Sequence, residues 1–312
     1  SIHWVYLPAY HFVLAALEAF GCSGDAIRVI NCALAATVPL LVLGYAERMR
    51  TPRPIPIMAA MFCAASPLVN LLGTSAQQET LFVLLVVGAV WSIDTRRFAM
   101  AGAMLAFASL VRYEAWGAVA LICAARLTGH RSARAHFPLV VFVPSIAAIG
   151  AWLLAHRLSD GQWFGFLREL YRYTHVQRES MHREARADLL WFPIQQPLFV
   201  FGWIVALLFF AGIRRAWRTS WVLPLGIYLF LLGAYAFKGA LGSSRYYESL
   251  VPFVAIAAAC GVERVSASRR WVIASTFAVA FAQLVMLSAR TLPRSSPHTH
   301  ANVITTAALF HG

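Results

Sequence analysis

The sequence predicts an all-α fold: a polytopic transmembrane helix bundle of about ten spans plus an interfacial N-terminal helix. Two observations carry that expectation. Of 312 residues, 60% are hydrophobic and only 12% charged, where soluble domains run at roughly 45–50% and about 25%. Apolar stretches approaching the ~20 residues that cross a ~30 Å hydrocarbon core also recur along the chain between short polar breaks. Mean hydropathy is accordingly +0.66. This composition excludes disorder, a collagen-like chain and a disulfide-stapled secreted domain, because too little polar surface remains to cover a water-facing globule.

The elements follow in order. Residues 4–20 are aromatic and moderately apolar, interrupted by Pro8, His11 and Glu18. They read as a helix lying in the outer interface, within residues 1–24, because Trp and Tyr favour that depth. Spans are expected at 25–46, 55–74, 79–93, 97–112, 114–128, 138–156, 193–213, 221–238, 249–262 and 271–289. The apolar run 98–127 is too long for one straight helix. Arg112, Tyr113 and Glu114 interrupt it, which predicts a hairpin with its polar tip at the membrane surface. Residues 157–192 read as a long periplasmic loop and 290–312 as a periplasmic tail. No repeat and no second domain is visible, so residues 1–312 form a single transmembrane domain.

The net charge is +13, and all 26 basic residues but Lys238 are arginines. With these spans, loops 47–54, 94–97, 126–137, 213–219 and 263–270 share one side. They hold fourteen arginines against Glu47, Asp94 and Glu263. The positive-inside rule makes that side cytoplasmic. The basic charge is therefore mostly topological, and nucleic acid is not expected as a partner. The other acids, among them Glu79, Glu114 and Glu248, collect with the long loop on the opposite face, where chemistry is expected. The five cysteines are dispersed without a C-x-x-C pair and read as packing residues. His175 and His182 lie seven residues apart and His298-x-His300 falls in the tail, so neither pair reads as a metal site.

Several stretches, taken in order, resemble one enzyme class. They are Leu7-Pro8-Ala9-Tyr10-His11-Phe12-Val13-Leu14-Ala15 through Phe20-Gly21; Asp25-Ala26-Ile27-Arg28-Val29-Ile30; and Ala65-Ser66-Pro67-Leu68 followed by Thr74-Ser75-Ala76-Gln77-Gln78-Glu79-Thr80-Leu81-Phe82. Further along come Ala108-Ser109-Leu110-Val111-Arg112-Tyr113-Glu114-Ala115-Trp116, then Arg245-Tyr246-Tyr247 with Pro252. Over roughly residues 4–260 the chain resembles the GT-C integral-membrane glycosyltransferases, the group of protein O-mannosyltransferases and lipid A aminoarabinose transferases. The resemblance implies transfer of a hexose or pentose from a polyprenyl-phosphate donor to a glycan, lipid or protein acceptor. The reaction would take place at the periplasmic face of a bacterial inner membrane, among membrane lipids. The class places an essential acid pair in the outer loop after its first span. That loop would precede Ser1, so the chain is expected to lack this part of the family's machinery.

The implied reaction needs a carboxylate to take the proton of the attacking group and cations to meet the charge growing on phosphate. Glu79 and Glu114 are the candidate catalytic carboxylates. Arg245, Arg112 and Lys238 are candidates for the donor phosphate, and Tyr246, Tyr113 and His11 for sugar or acceptor contact. No metal ligand is assigned, and a divalent cation is left open as cofactor.

Each residue has a plainer reading. Glu79 could serve only the dipole of the helix it opens, and Arg112 and Glu114 could snorkel to the interface. Arg245 with its tyrosines could belong to an ordinary aromatic belt. Loop 157–192 divides into an aromatic part, 163–173, suited to an interfacial helix, and a charged part, 176–190, suited to solvent. Charges two residues apart do not face each other on a helix, so Arg112 and Glu114 are expected to find partners elsewhere. Two other functions fit the composition: a transporter or flippase for a lipid-linked sugar, and a non-catalytic membrane partner.

Overall fold

The computed structural model describes residues 7–75, 77–128, 135, 137–169, 171–172, 185–236, 244–265 and 270–291. Among them the regular elements are helices. They are α1 (Pro8–Ala19), α2 (Gly24–Arg48), α3 (Pro54–Ala64), α4 (Pro67–Gly73), α5 (Gln78–Asp94) and α6 (Phe98–Val111). Then follow α7 (Glu114–Thr128), α8 (Leu139–Asp160), α9 (Ala185–Ala216), α10 (Val222–Ala236), α11 (Val251–Val265) and α12 (Arg270–Thr291). Single 3-10 segments, Thr219–Trp221 and Ser244–Leu250, precede α10 and α11.

Three of these stretches are long and apolar enough to cross a bilayer: Gly24–Arg48, Leu139–Ser159 and Thr219–Ala236. A fourth exists if the bent pair α3–α4 counts as one span. Helices of this kind fit a membrane protein, but the expectation of about ten spans is not supported. Length is the reason. Helices of 14, 15 and 15 residues (α6, α7 and α11) rise only about 21–23 Å at ~1.5 Å per residue.

Two expected spans are interrupted. The stretch 55–74 bends by 53° between α3 and α4. Ser66 is extended ahead of Pro67 (ψ 129°), as sterics before a proline favour. The stretch 193–213 breaks inside α9 at Gly202, whose φ is 74°. There the Ile204 amide donates to Gln283 Oε1 of α12 at 3.1 Å, which replaces a bond lost from the helix ladder. The 157–192 loop is also shorter than expected, since α8 runs on to Asp160 and α9 starts at Ala185. The expected break between 97–112 and 114–128 is present, at Arg112 and Tyr113.

Small residues let the helices approach closely. A Cβ on Gly212 of α9 would overlap the carbonyl oxygen of Ala257 in α11, and one on Gly261 of α11 would overlap that of Leu208 in α9. Gly117 of α7 and Gly226 of α10 meet in the same way. Such seams replace the hydrophobic driving force that helices lack in lipid. Around them lies one continuous apolar core, with Val83, Val86, Ala101, Leu105, Ala257 and Cys260 among its buried members.

Candidate active site at the start of helix α5

Asn31 of α2 is buried (4% exposed). Its amide donates toward the carbonyl oxygens of Leu72 (3.0 Å), Gly73 (3.2 Å) and Ser75. These acceptors lie at and just beyond the end of α4, where helix carbonyls lose their intrahelical partners; Leu72 also accepts from Ser75, and Ser75 from the Gln77 amide. Their capture fixes the turn that leads into α5, and that turn sets Glu79 in the first turn of the helix. Glu79 is 4% exposed, so the helix dipole alone would not compensate its burial.

The compensation comes from the α6–α7 hairpin. Arg112 leaves the helix, at φ −145° and ψ 140°, and turns its guanidinium inward. Nη1 lies 2.6 Å from Glu79 Oε1. On the other edge, Nη2 lies 2.5 Å from Glu114 Oε1, and Nε donates to both Glu114 oxygens at 3.1 Å. Arg112 and Glu114 are each 6% exposed. The expectation that these two would pair elsewhere is therefore corrected. The spacing rule holds only within a helix, and extended backbone at Arg112 lets residues two apart meet. Snorkelling is excluded by the same burial.

The 3-10 segment Ser244–Leu250 closes the site. Arg245 Nε lies 3.7 Å from Glu79 Oε1, too far for a hydrogen bond, and its side chain keeps 38% exposure. The Tyr246 ring has the Arg112 guanidinium 5.3 Å from its centroid and that of Arg245 at 5.4 Å. Phe82, one turn after Glu79, lies 5.8 Å from Arg112. Cation–π contact thus spaces the two arginines while Glu79 sits between them. Three segments distant in sequence meet here, and Glu79, Arg112, Glu114, Arg245 and Tyr246 form one cluster.

The other candidates divide. Tyr113 stacks on Phe166, with centroids 5.3 Å apart and planes within 2°, and meets Trp116 edge-on at 5.1 Å. Its ring is thus engaged in packing with a residue of the expected 157–192 loop. Among the described aromatic side chains of that loop Phe166 is buried, whereas Trp163, Phe164 and Tyr171 are exposed. His11 is on the exposed side of α1. Lys238, His175, His182, His298, His300 and the glycines of 239–242 lie outside the described residues.

Two further groups beside the cluster had no role assigned from the sequence. Tyr10, beside His11 on α1, is half-buried. Burial first, and then the charge of Glu79, push its phenol up. Glu248 is 2% exposed, and its Oε2 has no hydrogen-bond partner among the described residues. Burial holds its carboxyl well above the usual range; Glu79 adds to this and Arg112 opposes it. The sequence signal was available in Arg245-Tyr246-Tyr247-Glu248, where an acid follows an arginine just ahead of the apolar run that begins at Leu250. Further buried polar atoms on these segments also lack hydrogen bonds: Thr80 Oγ1, Ser249 Oγ and Arg245 Nε. Buried polar groups are normally satisfied, so these atoms keep unused hydrogen-bonding capacity beside the cluster.

A divalent cation does not fit this donor set. Glu114 is held on both oxygens by Arg112, Glu79 is paired with the same guanidinium, and burial favours the protonated form of Glu248. Among the described residues no group of three or more His, Cys, Asp or Glu side chains is placed to hold a metal. No protein-family model matches the chain, and neither does any curated protein or solved structure.

Proposed function

We propose that the protein is a membrane glycosyltransferase that moves a sugar from a polyprenyl-phosphate donor to an acceptor at the periplasmic face of a bacterial inner membrane. The observation that carries this reading is the half-open Arg245 guanidinium beside the buried Glu79–Arg112–Glu114 cluster. Two carboxylates cancel two guanidinium groups, and Glu248 adds no charge while it holds its proton. Among the described residues an arriving phosphate therefore meets a balanced site, in which the half-open Arg245 side chain has room to turn toward it. A guanidinium offers two parallel donors to phosphate oxygens.

In this reaction the acceptor's nucleophile forms a bond to the anomeric carbon, and the bond from that carbon to the phosphate oxygen breaks. The electron pair leaves with polyprenyl phosphate, whose growing charge Arg245 stabilises. Glu79 accepts the nucleophile's proton. Arg112 is a positioning residue here, because its donor edges are already engaged by Glu79 and Glu114. Tyr246 holds the two arginines apart.

The test uses the protein in its native membrane with radiolabelled mannose or aminopentose on polyprenyl phosphate. Glu79→Gln and Arg245→Gln are each expected to slow transfer by about 10²–10³-fold, the usual loss when a charge-stabilising group is removed. A doubly substituted protein that keeps the native rate refutes the assignment.

A further inference from the structure

Helix α5 joins the cluster to a second polar region. From Glu79 to Asp94 it rises about 22 Å, and at its far end a cavity of about 390 Å³ opens between the ends of several helices. Its walls carry Arg48 at the end of α2, Arg50 in the turn beyond, Arg96 after α5 and Arg218 after α9. The acid among them, Asp94, already accepts a hydrogen bond from the Tyr45 hydroxyl at 2.6 Å. Tyr45 in turn accepts one from Trp221 Nε1 at 3.0 Å. Arg218 donates to the carbonyl oxygens of Met49 (3.3 Å) and Trp217 (3.1 Å), which ties the segment after α9 to the end of α2. The side chains of Arg48, Arg50 and Arg96 form no ion pair among the described residues.

A second observation concerns the backbone. Arg50 (φ 57°) and Arg96 (φ 60°) are the non-glycine residues with positive φ among those described. Left-handed backbone costs free energy for any residue with a Cβ, and glycine is its usual occupant. Both of these turns instead place a guanidinium at the rim of the same cavity. The positive-inside rule accounts for basic loops on this side. It does not account for their convergence on one cavity, nor for strained arginines where glycine would relieve the chain.

We propose that this cavity binds a phosphate group, as a monoester or diester. Several guanidinium forks around one space suit a group with several charged oxygens better than a two-oxygen carboxylate. The volume lies within the range of small-ligand sites, roughly 300–1,000 Å³. The inference does not depend on the transfer reaction, because it concerns the opposite end of α5.

The test reconstitutes the protein in phosphatidylcholine nanodiscs and titrates inorganic phosphate and glycerol phosphate, read by tryptophan fluorescence. A second arm adds phosphatidylglycerol to the nanodiscs and counts retained lipid by native mass spectrometry. Saturable binding in the soluble arm assigns a free phosphate compound, and retention in the lipid arm alone assigns a headgroup. Either result supports the site. Arg50→Gly with Arg96→Gly is expected to weaken binding at least ten-fold while melting no lower than the native protein, since glycine relieves the backbone. Arg53→Gly with Arg97→Gly removes equal charge from the same turns outside the cavity lining and is expected to bind within two-fold of native. Absence of binding in both arms overturns the proposal. So does native affinity in the first variant, or an equal loss in the second.

Discussion

Arg112→Gln tests the architecture of the cluster most severely. The native guanidinium serves two carboxylates that are 4% and 6% exposed, at 2.6 Å from Glu79 and 2.5 Å from Glu114. Among the described residues its loss leaves Glu114 without an ion-pair partner and Glu79 with Arg245, 3.7 Å away. Breaking a buried ion pair by removing one partner costs about 3–5 kcal/mol, most of it the burial of an uncompensated charge. At about 2–4 °C per kcal/mol, thermal unfolding in detergent at pH 8 should fall by at least about 6 °C. Arg112→Gln combined with Glu79→Gln and Glu114→Gln should recover most of the loss, because no buried charge is left. A single substitution that costs less than about 1 kcal/mol at pH 8 would refute the buried-triad account.

Three further outcomes follow from particular contacts. Glu248 has a folded-state carboxyl value well above its ordinary 4.5, so the native state holds a proton that the unfolded chain releases. Stability should then fall as pH rises from the ordinary value through the folded one, by up to about 1.4 kcal/mol per pH unit, and Glu248→Gln should flatten that slope in a pH series of melts. Gly261→Ala would drive a methyl group into the Leu208 carbonyl. A loss of about 1–3 kcal/mol is expected from such overpacking, read as a lowered melting temperature. Asn31→Ala removes the side-chain donor shared by the carbonyl oxygens of Leu72, Gly73 and Ser75, of which Leu72 and Ser75 keep a backbone donor. It should cost about 1–3 kcal/mol and slow sugar transfer by loosening Glu79, while Asn31→Asp, which cannot donate when ionised, should do no better.

Much of the site was legible because its signals are local. An acid opening an apolar helix pointed to Glu79, and three polar residues in a run too long for one helix located the α6–α7 turn. What stayed hidden depends on tertiary approach. The Arg112–Glu114 pair needs an extended residue that helical spacing rules do not foresee. The choice of Tyr10 over His11 is a matter of which side chain of α1 feels the charge of Glu79. Asn31 looks like any polar residue near a helix start until the end of α4 is laid against it. The span count failed because hydropathy marks apolar stretches without distinguishing a crossing helix from a shorter one buried among its neighbours. Arginines read as topological charge in separate loops also gave no sign that Arg48, Arg50, Arg96 and Arg218 share one cavity.

The most direct measurement of the functional claim is stoichiometric: polyprenyl phosphate released per labelled sugar joined to acceptor in native membranes. The account predicts one released for each sugar joined, with both products falling together in Arg245→Gln. Sugar that crosses the membrane still attached to its lipid, with no polyprenyl phosphate released, would contradict it and leave a lipid-linked sugar transporter in its place.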